Sequence, residues 1–165
     1  MMGWIFLLPG LTLQGDESSS VQVGWQVQHS RTLTILGSSE GNGTTTASTF
    51  VIPQPSAADL ERGYIEQERA ITLLARSNTP WMISVRTDDP HMGRSFDGTY
   101  LKPVSDLLVR AAGRPYLAIS HEDQLLTSGP AGEHLIGVDY RVLFNRHSHR
   151  EGNYSITIIY TISTP

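Results

Sequence analysis

Near the C-terminus, two stretches alternate apolar and polar residues with a period of two. Ile136, Val138, Tyr140, Val142 and Phe144 are separated by Gly137, Asp139, Arg141 and Leu143. Tyr154, Ile156, Ile158, Tyr160 and Ile162 are separated by Ser155, Thr157, Ile159 and Thr161. In an extended strand, residues two apart share a face, so each stretch offers one apolar face to a core. The polar connection 145–153 (NRHSHREGN) lies between them and predicts an antiparallel hairpin. No stretch has the 3.6-residue spacing of an ordinary amphipathic helix, which confines the chain to sheet architectures.

The remaining segments follow the same logic. Val21, Val23, Trp25 and Val27 alternate with Gln22, Gly24, Gln26 and Gln28, and predict a strand over 21–28. Arg31 to Leu36 predicts another, followed by a polar loop over 37–48. Thr49 to Ile52 reads as a short strand stopped by Pro53 and Pro55. Ser56 to Arg62 predicts one helical turn, with Ser56 as N-cap, Asp59 three residues later and Gly63 as terminator. Strands are expected at Ala70 to Ala75 and Trp81 to Arg86, around a turn at Ser77-Asn78-Thr79-Pro80. Thr87 to Tyr100 loses periodicity and reads as a long loop, a place where function often sits. Val104 to Arg110 suits a helical turn or a short strand equally, and Arg114 to Ser120 and Gln124 to Thr127 read as strands. The economical architecture is all-β: an antiparallel β-sandwich, immunoglobulin- or pilin-like, of about seven to nine strands.

Composition excludes more than it selects. The chain has 165 residues, enough for one domain, with 15 Gly and 9 Pro and only 17% charged residues. A net charge of −4 argues against a nucleic-acid partner, which calls for a basic face. Having no cysteine, the chain forms no disulfide and offers no thiolate ligand or nucleophile. Trp4 to Leu13 (WIFLLPGLTL) is too short to span a bilayer but fits the apolar core of a signal peptide. The expectation is therefore a signal peptide over 1–15 and a single β-sandwich domain over 16–165, exported and with no stable membrane insertion of the mature chain. Export without cysteine suits a bacterial surface.

Gly152-Asn153-Tyr154-Ser155-Ile156-Thr157-Ile158-Ile159-Tyr160 resembles the terminal strand of spore-coat protein U-like and other pilin-like domains. Those end with a glycine turn, a tyrosine and alternating apolar residues. Trp81-Met82-Ile83 after Asn78-Thr79-Pro80 is similar to the Trp-containing strand of secreted WxL-like surface proteins. The likeness covers about half of the chain, 78–165, and its motifs are short. The disulfide common in pilin-type domains is absent, and the last strand lacks a second Trp motif. The resemblance implies an exported surface or structural module.

Chemistry is sparse. His147 and His149 lie two apart, so on a strand both imidazoles would face one ion, while Arg146 and Arg150 oppose a cation. Asp88, Asp89 and His91, with Asp97 close behind, place carboxylates in the long loop in a spacing unlike an EF-hand. Tyr64, Tyr100 and Tyr116 are candidates for stacking on a sugar, whereas Trp25 and Trp81 fall on the apolar phase of their strands and read as core. No nucleophile elbow or phosphate-binding glycine loop appears. The expectation is a non-catalytic, cofactor-free module of a cell surface, partnered by itself or by other surface subunits. Its mechanism would be strand addition, with Val21, Val23, Trp25 and Val27 as the assembly strand; pairing of that strand within its own domain is the competing arrangement. A carbohydrate-binding or adhesive role for 87–100, through Asp88, Asp89, His91 and Tyr100, is the alternative, and a secreted enzyme the weakest reading.

Overall fold

A computed structural model of the chain describes residues 26–36, 44–45, 50–144 and 150–165. The elements run β1 (Arg31–Leu36), β2 (Thr44–Thr45), α1 (Ala57–Arg62), β3 (Tyr64–Ser77), β4 (Trp81–Arg86), β5 (Gly93–Arg94) and β6 (Leu101–Lys102). A 3-10 turn (Val104–Asp106) leads into β7 (Leu107–Ala111), β8 (Leu117–Ala118), β9 (Gln124–Gly129), β10 (Gly132–Leu143) and β11 (Ile159–Ser163). Among the described residues, seven strands have five residues or more and four are two-residue pairings. The protein is mostly β, with antiparallel sheets in a sandwich-like arrangement.

The larger sheet has the order β2-β1-β3-β10-β7-β8 and the smaller one β11-β4-β9; β5 and β6 pair by themselves. One core cluster joins the two larger sheets. Ile71, Leu73 and Ala75 of β3, Val138 and Tyr140 of β10, and Val109 of β7 meet Trp81, Ile83 and Val85 of β4. These are the residues that period two places on one face of each strand. Among the described residues no helix is long and apolar enough to cross a membrane.

Local signals explain the boundaries. Ser56 Oγ accepts from the Asp59 amide (3.2 Å), and Asp59 Oδ2 accepts from the Ser56 amide (2.9 Å). This capping box starts α1, and Gly63, at φ 86°, ends it in the left-handed region. Asn78 holds the chain before β1: its side-chain amide donates to the Gln28 carbonyl (2.7 Å), and its Oδ1 accepts from the Ser30 amide (2.9 Å). The turn after β3 therefore does two jobs, anchoring β1 and carrying the chain from the large sheet into the small one.

β3 and β10 are the longest strands, and their pairing slips between Val138 and Tyr140. Asp139 on β10 faces the bulge of β3, where Arg69 has φ 50°. The buried Asp139 carboxylate accepts from the Arg69 amide (2.7 Å) and from Arg110 Nε (2.7 Å). The bulge thus exchanges a lost ladder bond for a charge-assisted one.

Several expectations are corrected. The foreseen C-terminal hairpin does not form: β10 belongs to the large sheet, while β11 pairs with β4 in the small one. Alternation sets which face is buried and says nothing about which strand lies alongside. Residues 153–158 keep the predicted phase without joining a ladder. Gln26 to Gln28, the described end of the expected 21–28 strand, is irregular and exposed, and Val27 is 71% exposed. Val21, Val23 and Trp25 lie outside the described residues. Phe50 to Ile52 is not a strand, and 114–120 is reduced to β8. The loops expected over 37–48 and 87–100 contain short pairings, β2 on β1 and β5 on β6.

Two substitutions test these contacts. Gly129 pairs with Trp81, and a Cβ there would lie 2.9 Å from the indole Cε2. Gly129→Ala is expected to lower unfolding free energy by about 1–3 kcal/mol in urea titration, as overpacking does. Asp139→Ala leaves the Arg69 amide without its acceptor and takes from Arg110 one of its two carboxylates, so a loss of about 1–3 kcal/mol is expected in the same titration. No measurable loss would remove Asp139 as the support of the bulge.

Candidate functional site

The small sheet covers only part of the inner face of the large one. A cleft of about 620 Å³ remains, walled by Ile35, Ile71, Leu107 and Tyr140 of the large sheet and by Ile156, Ile158 and Tyr160 opposite. Phe50 to Ile52 closes one side, with Val51 77% exposed. The volume falls within the roughly 300–1,000 Å³ of ligand-sized clefts, and the walls are apolar in the same way.

Residues 154–158 form the opposite wall because the long loop holds the segment from 151 onward there. The Ser155 amide donates to the Met92 carbonyl (2.7 Å), and the Phe96 amide donates to the Glu151 carbonyl (2.9 Å). The buried Thr87 hydroxyl donates to the Thr157 carbonyl (2.7 Å), while the Thr157 amide donates to Asp89 Oδ2. Gly93, at φ 130°, passes so close that a Cβ would meet the Asn153 carbonyl at 3.0 Å. Residues 151–157 are thereby pinned to the loop through their backbone.

This arrangement explains the loop residues singled out from the sequence. Asp88 pairs with Arg86, Asp89 serves Thr157, and His91 Nδ1 accepts from the Gly93 amide (3.1 Å). The Tyr100 hydroxyl donates to Asp106 (3.4 Å). Asp97 accepts from the Ser95 and Thr99 hydroxyls and the Thr99 amide, which hold its carboxyl down at about 2. Each group is engaged with a different neighbour, and they do not converge on one ligand position. Among the described residues no three acidic or histidine side chains are grouped to hold a metal. His147 and His149 lie outside the described residues.

The tyrosines divide. Tyr64 and Tyr116 sit in a ladder of stacked planes on the outer face of the large sheet. Arg62 lies over Tyr64, Arg141 lies over both Tyr64 and Tyr116, and Arg110 lies over Tyr116, at 4.2–4.6 Å from the ring centres. Glu66 accepts from the Tyr116 hydroxyl (2.6 Å), Arg141 (2.7 Å) and Arg110 (3.3 Å). The Tyr116 bond, followed by the arginines, holds its carboxyl below the usual range. These rings are already stacked by guanidinium groups. Trp81 is buried in the core, as its phase predicts.

Two polar features of the clefts escaped sequence reading. Tyr140 and Tyr160 share a hydroxyl–hydroxyl bond of 2.8 Å between the sheets, inside the first cleft. One hydroxyl donates to the other, which leaves one O–H without an acceptor among the described residues. The second feature is Lys102, the one lysine of the chain, 1% exposed on the wall of an adjoining cleft of about 880 Å³. Its position between Leu101 and Pro103 gave no sign of burial, since that arises from β10 and residue 154, far along the chain. Comparison of the chain with protein-family models and with curated proteins gives no match.

The tyrosine pair makes a pH prediction. Burial pushes the Tyr140 hydroxyl up to about 12 and raises Tyr160 well above the ordinary tyrosine range. Both therefore stay protonated where the unfolded chain ionises, from about pH 10. Stability is expected to hold below that pH and to fall as pH rises from 10 toward 12. Tyr160→Phe is expected to flatten the fall by about 1.4 kcal/mol per pH unit. Denaturant titrations across this range give the slope; identical slopes would contradict the burial of the pair.

Proposed function

We propose that the chain is an exported, non-catalytic structural module of a cell surface that assembles by strand addition. The observation carrying this reading is the apolar cleft between the sheets, lined by Ile35, Ile71 and Tyr140 on one side and by Ile156, Ile158 and Tyr160 on the other. Residues 21–27 supply a segment of matching chemistry, since Val21, Val23, Trp25 and Val27 put four apolar side chains on one side of an extended chain. The unshared tyrosine O–H calls for an acceptor, and an incoming backbone offers a carbonyl every other residue. Val27 is exposed and lies in no ladder, which fits a segment leaving its own domain.

The carbohydrate reading receives less support. The carboxylates of Asp88, Asp89 and Asp97 are committed to internal partners, and two of the three candidate rings carry arginines. An acyl-transfer or hydrolytic site would need a nucleophile, a base and an oxyanion pocket in one cleft; the first cleft is lined by the hydroxyls of Tyr140, Tyr154, Ser155, Thr157 and Tyr160, with no histidine or carboxylate among its described walls to act as base.

The test is the mass of the full chain by size-exclusion chromatography with light scattering, with and without Trp25→Asp. Concentration-dependent oligomers or filaments are expected for the parent and monomers for the variant. A parent that stays monomeric at every concentration overturns assembly. If Trp25→Asp then also lowers stability by about 3 kcal/mol, the segment covers the cleft of its own domain. Oligomers that persist in the variant show that the segment is not the donor.

A further inference from the structure

We propose that the cleft around Lys102 is a binding site for a carboxylate carried on an apolar body. A buried ammonium is costly unless its donors are used, and lysine has three. Lys102 Nζ donates to Asp106 Oδ2 (2.9 Å) and to the Leu143 carbonyl (2.8 Å). The third N–H has no hydrogen-bond acceptor among the described residues. The ammonium stands 5.6 Å from the Phe144 ring and 5.9 Å from the Tyr154 ring, and both rings line the cleft. An N–H bounded by aromatic walls, with one carboxylate already in place, calls for a further acceptor arriving through the cleft.

The walls define the remainder of the ligand. Ile52, Leu60, Ile65 and Val142 are aliphatic, and Phe96 stands 71% exposed. Arg150, which pairs with Asp97 at 4.0 Å, and Glu151 also line the cleft but are exposed to solvent, so Lys102 is the charge there that has been stripped of water. A carboxylate gains most where its partner is desolvated, because the surrounding medium screens the pair least. At about 880 Å³ the cleft holds a ligand of drug or short fatty-acid size. Asp106 competes for the same ammonium, so its charge sets how weakly the site binds. The inference does not rest on strand addition, since Lys102 lies outside the walls of the first cleft.

The single lysine makes the site directly observable. In the full chain labelled with lysine carrying carbon-13 at Cε, Lys102 contributes the only side-chain resonance of its kind. Octanoate at about 1 mM is expected to shift it, while octanol at the same concentration shifts it little. Lys102→Met keeps the length and apolar bulk of the stem, and octanoate affinity is expected to fall about tenfold by calorimetry. Asp106→Asn removes the competing charge and is expected to tighten binding about threefold or more. No shift with octanoate, or an equal shift with octanol, overturns the proposal even if both variants prove unstable. A folded Lys102→Met protein that binds octanoate as the parent does overturns it equally.

Discussion

Asp139 is where the large sheet would fail first. β3 and β10 supply its two central strands, and their ladder runs from Ser77 opposite Gly132 to Tyr64 opposite Leu143. Three residues of β3 stand against one of β10 at the slip, and one of them, Arg69, is driven to a positive φ that L-residues adopt at a cost of about 1–2 kcal/mol. The carboxylate stabilises this by accepting the displaced amide and by drawing Arg110 across from β7. A neutral acceptor at that position would satisfy the amide without holding the guanidinium. Three strands are thus locked in register by one buried side chain, and the inner-face phase of β3 survives because the bulge adds an even number of residues.

That phase is what the sequence made legible. Ile71, Leu73 and Ala75, then Trp81, Ile83 and Val85, are buried as their alternation requires, and the Ser56–Asp59 box starts a helix where its spacing places one. Pairing was not legible. Residues 136–144 and 154–162 have matching periods and a short polar connection, yet they enter different sheets. What separates them is the backbone pinning of 151–157 by Thr87, Asp89 and Met92, contacts about seventy positions apart that no local pattern encodes. The same distance hid the clefts. The long loop was recognisable from 87 to 100, and its carboxylates read there as a candidate ligand site; instead Asp89 binds the Thr157 amide of the cleft wall, while Asp88 and Asp97 are taken by Arg86 and by Ser95 and Thr99.

Polar groups also sort the two faces of the large sheet. On the outer face, Glu66 and Asp139 pair with Arg110 and Arg141, whose guanidinium planes stack on Tyr64 and Tyr116, and one buried donor, Arg141 Nε, stays without a hydrogen-bond partner among the described residues. On the inner side, Tyr140 and Lys102 are buried and Tyr160 partly so, with hydrogen-bonding capacity left over. Spare donors beside an apolar wall are destabilising until something accepts from them. On the outer face the charges are paired within the sheet, whereas beside the clefts the spare donors call for an acceptor on an apolar body.

The unequal sheets give this asymmetry a structural cause. Three strands cannot cover the inner face of six, and the uncovered apolar surface must be met by irregular chain, by another segment or by a ligand. Irregular chain meets part of it: Phe50 to Ile52 on one side and 151–158 on the other. Such segments cover apolar surface less completely than a strand does, because a strand also closes its backbone hydrogen bonds along the ladder. A strand laid between them would hide Val51 and give the tyrosine O–H its acceptor. The Lys102 cleft differs in kind, since a buried ammonium favours a charge that an apolar strand does not carry. Ile52, Met92 and Tyr154 line both clefts, so whatever fills one sets the shape of the wall that the other must fit.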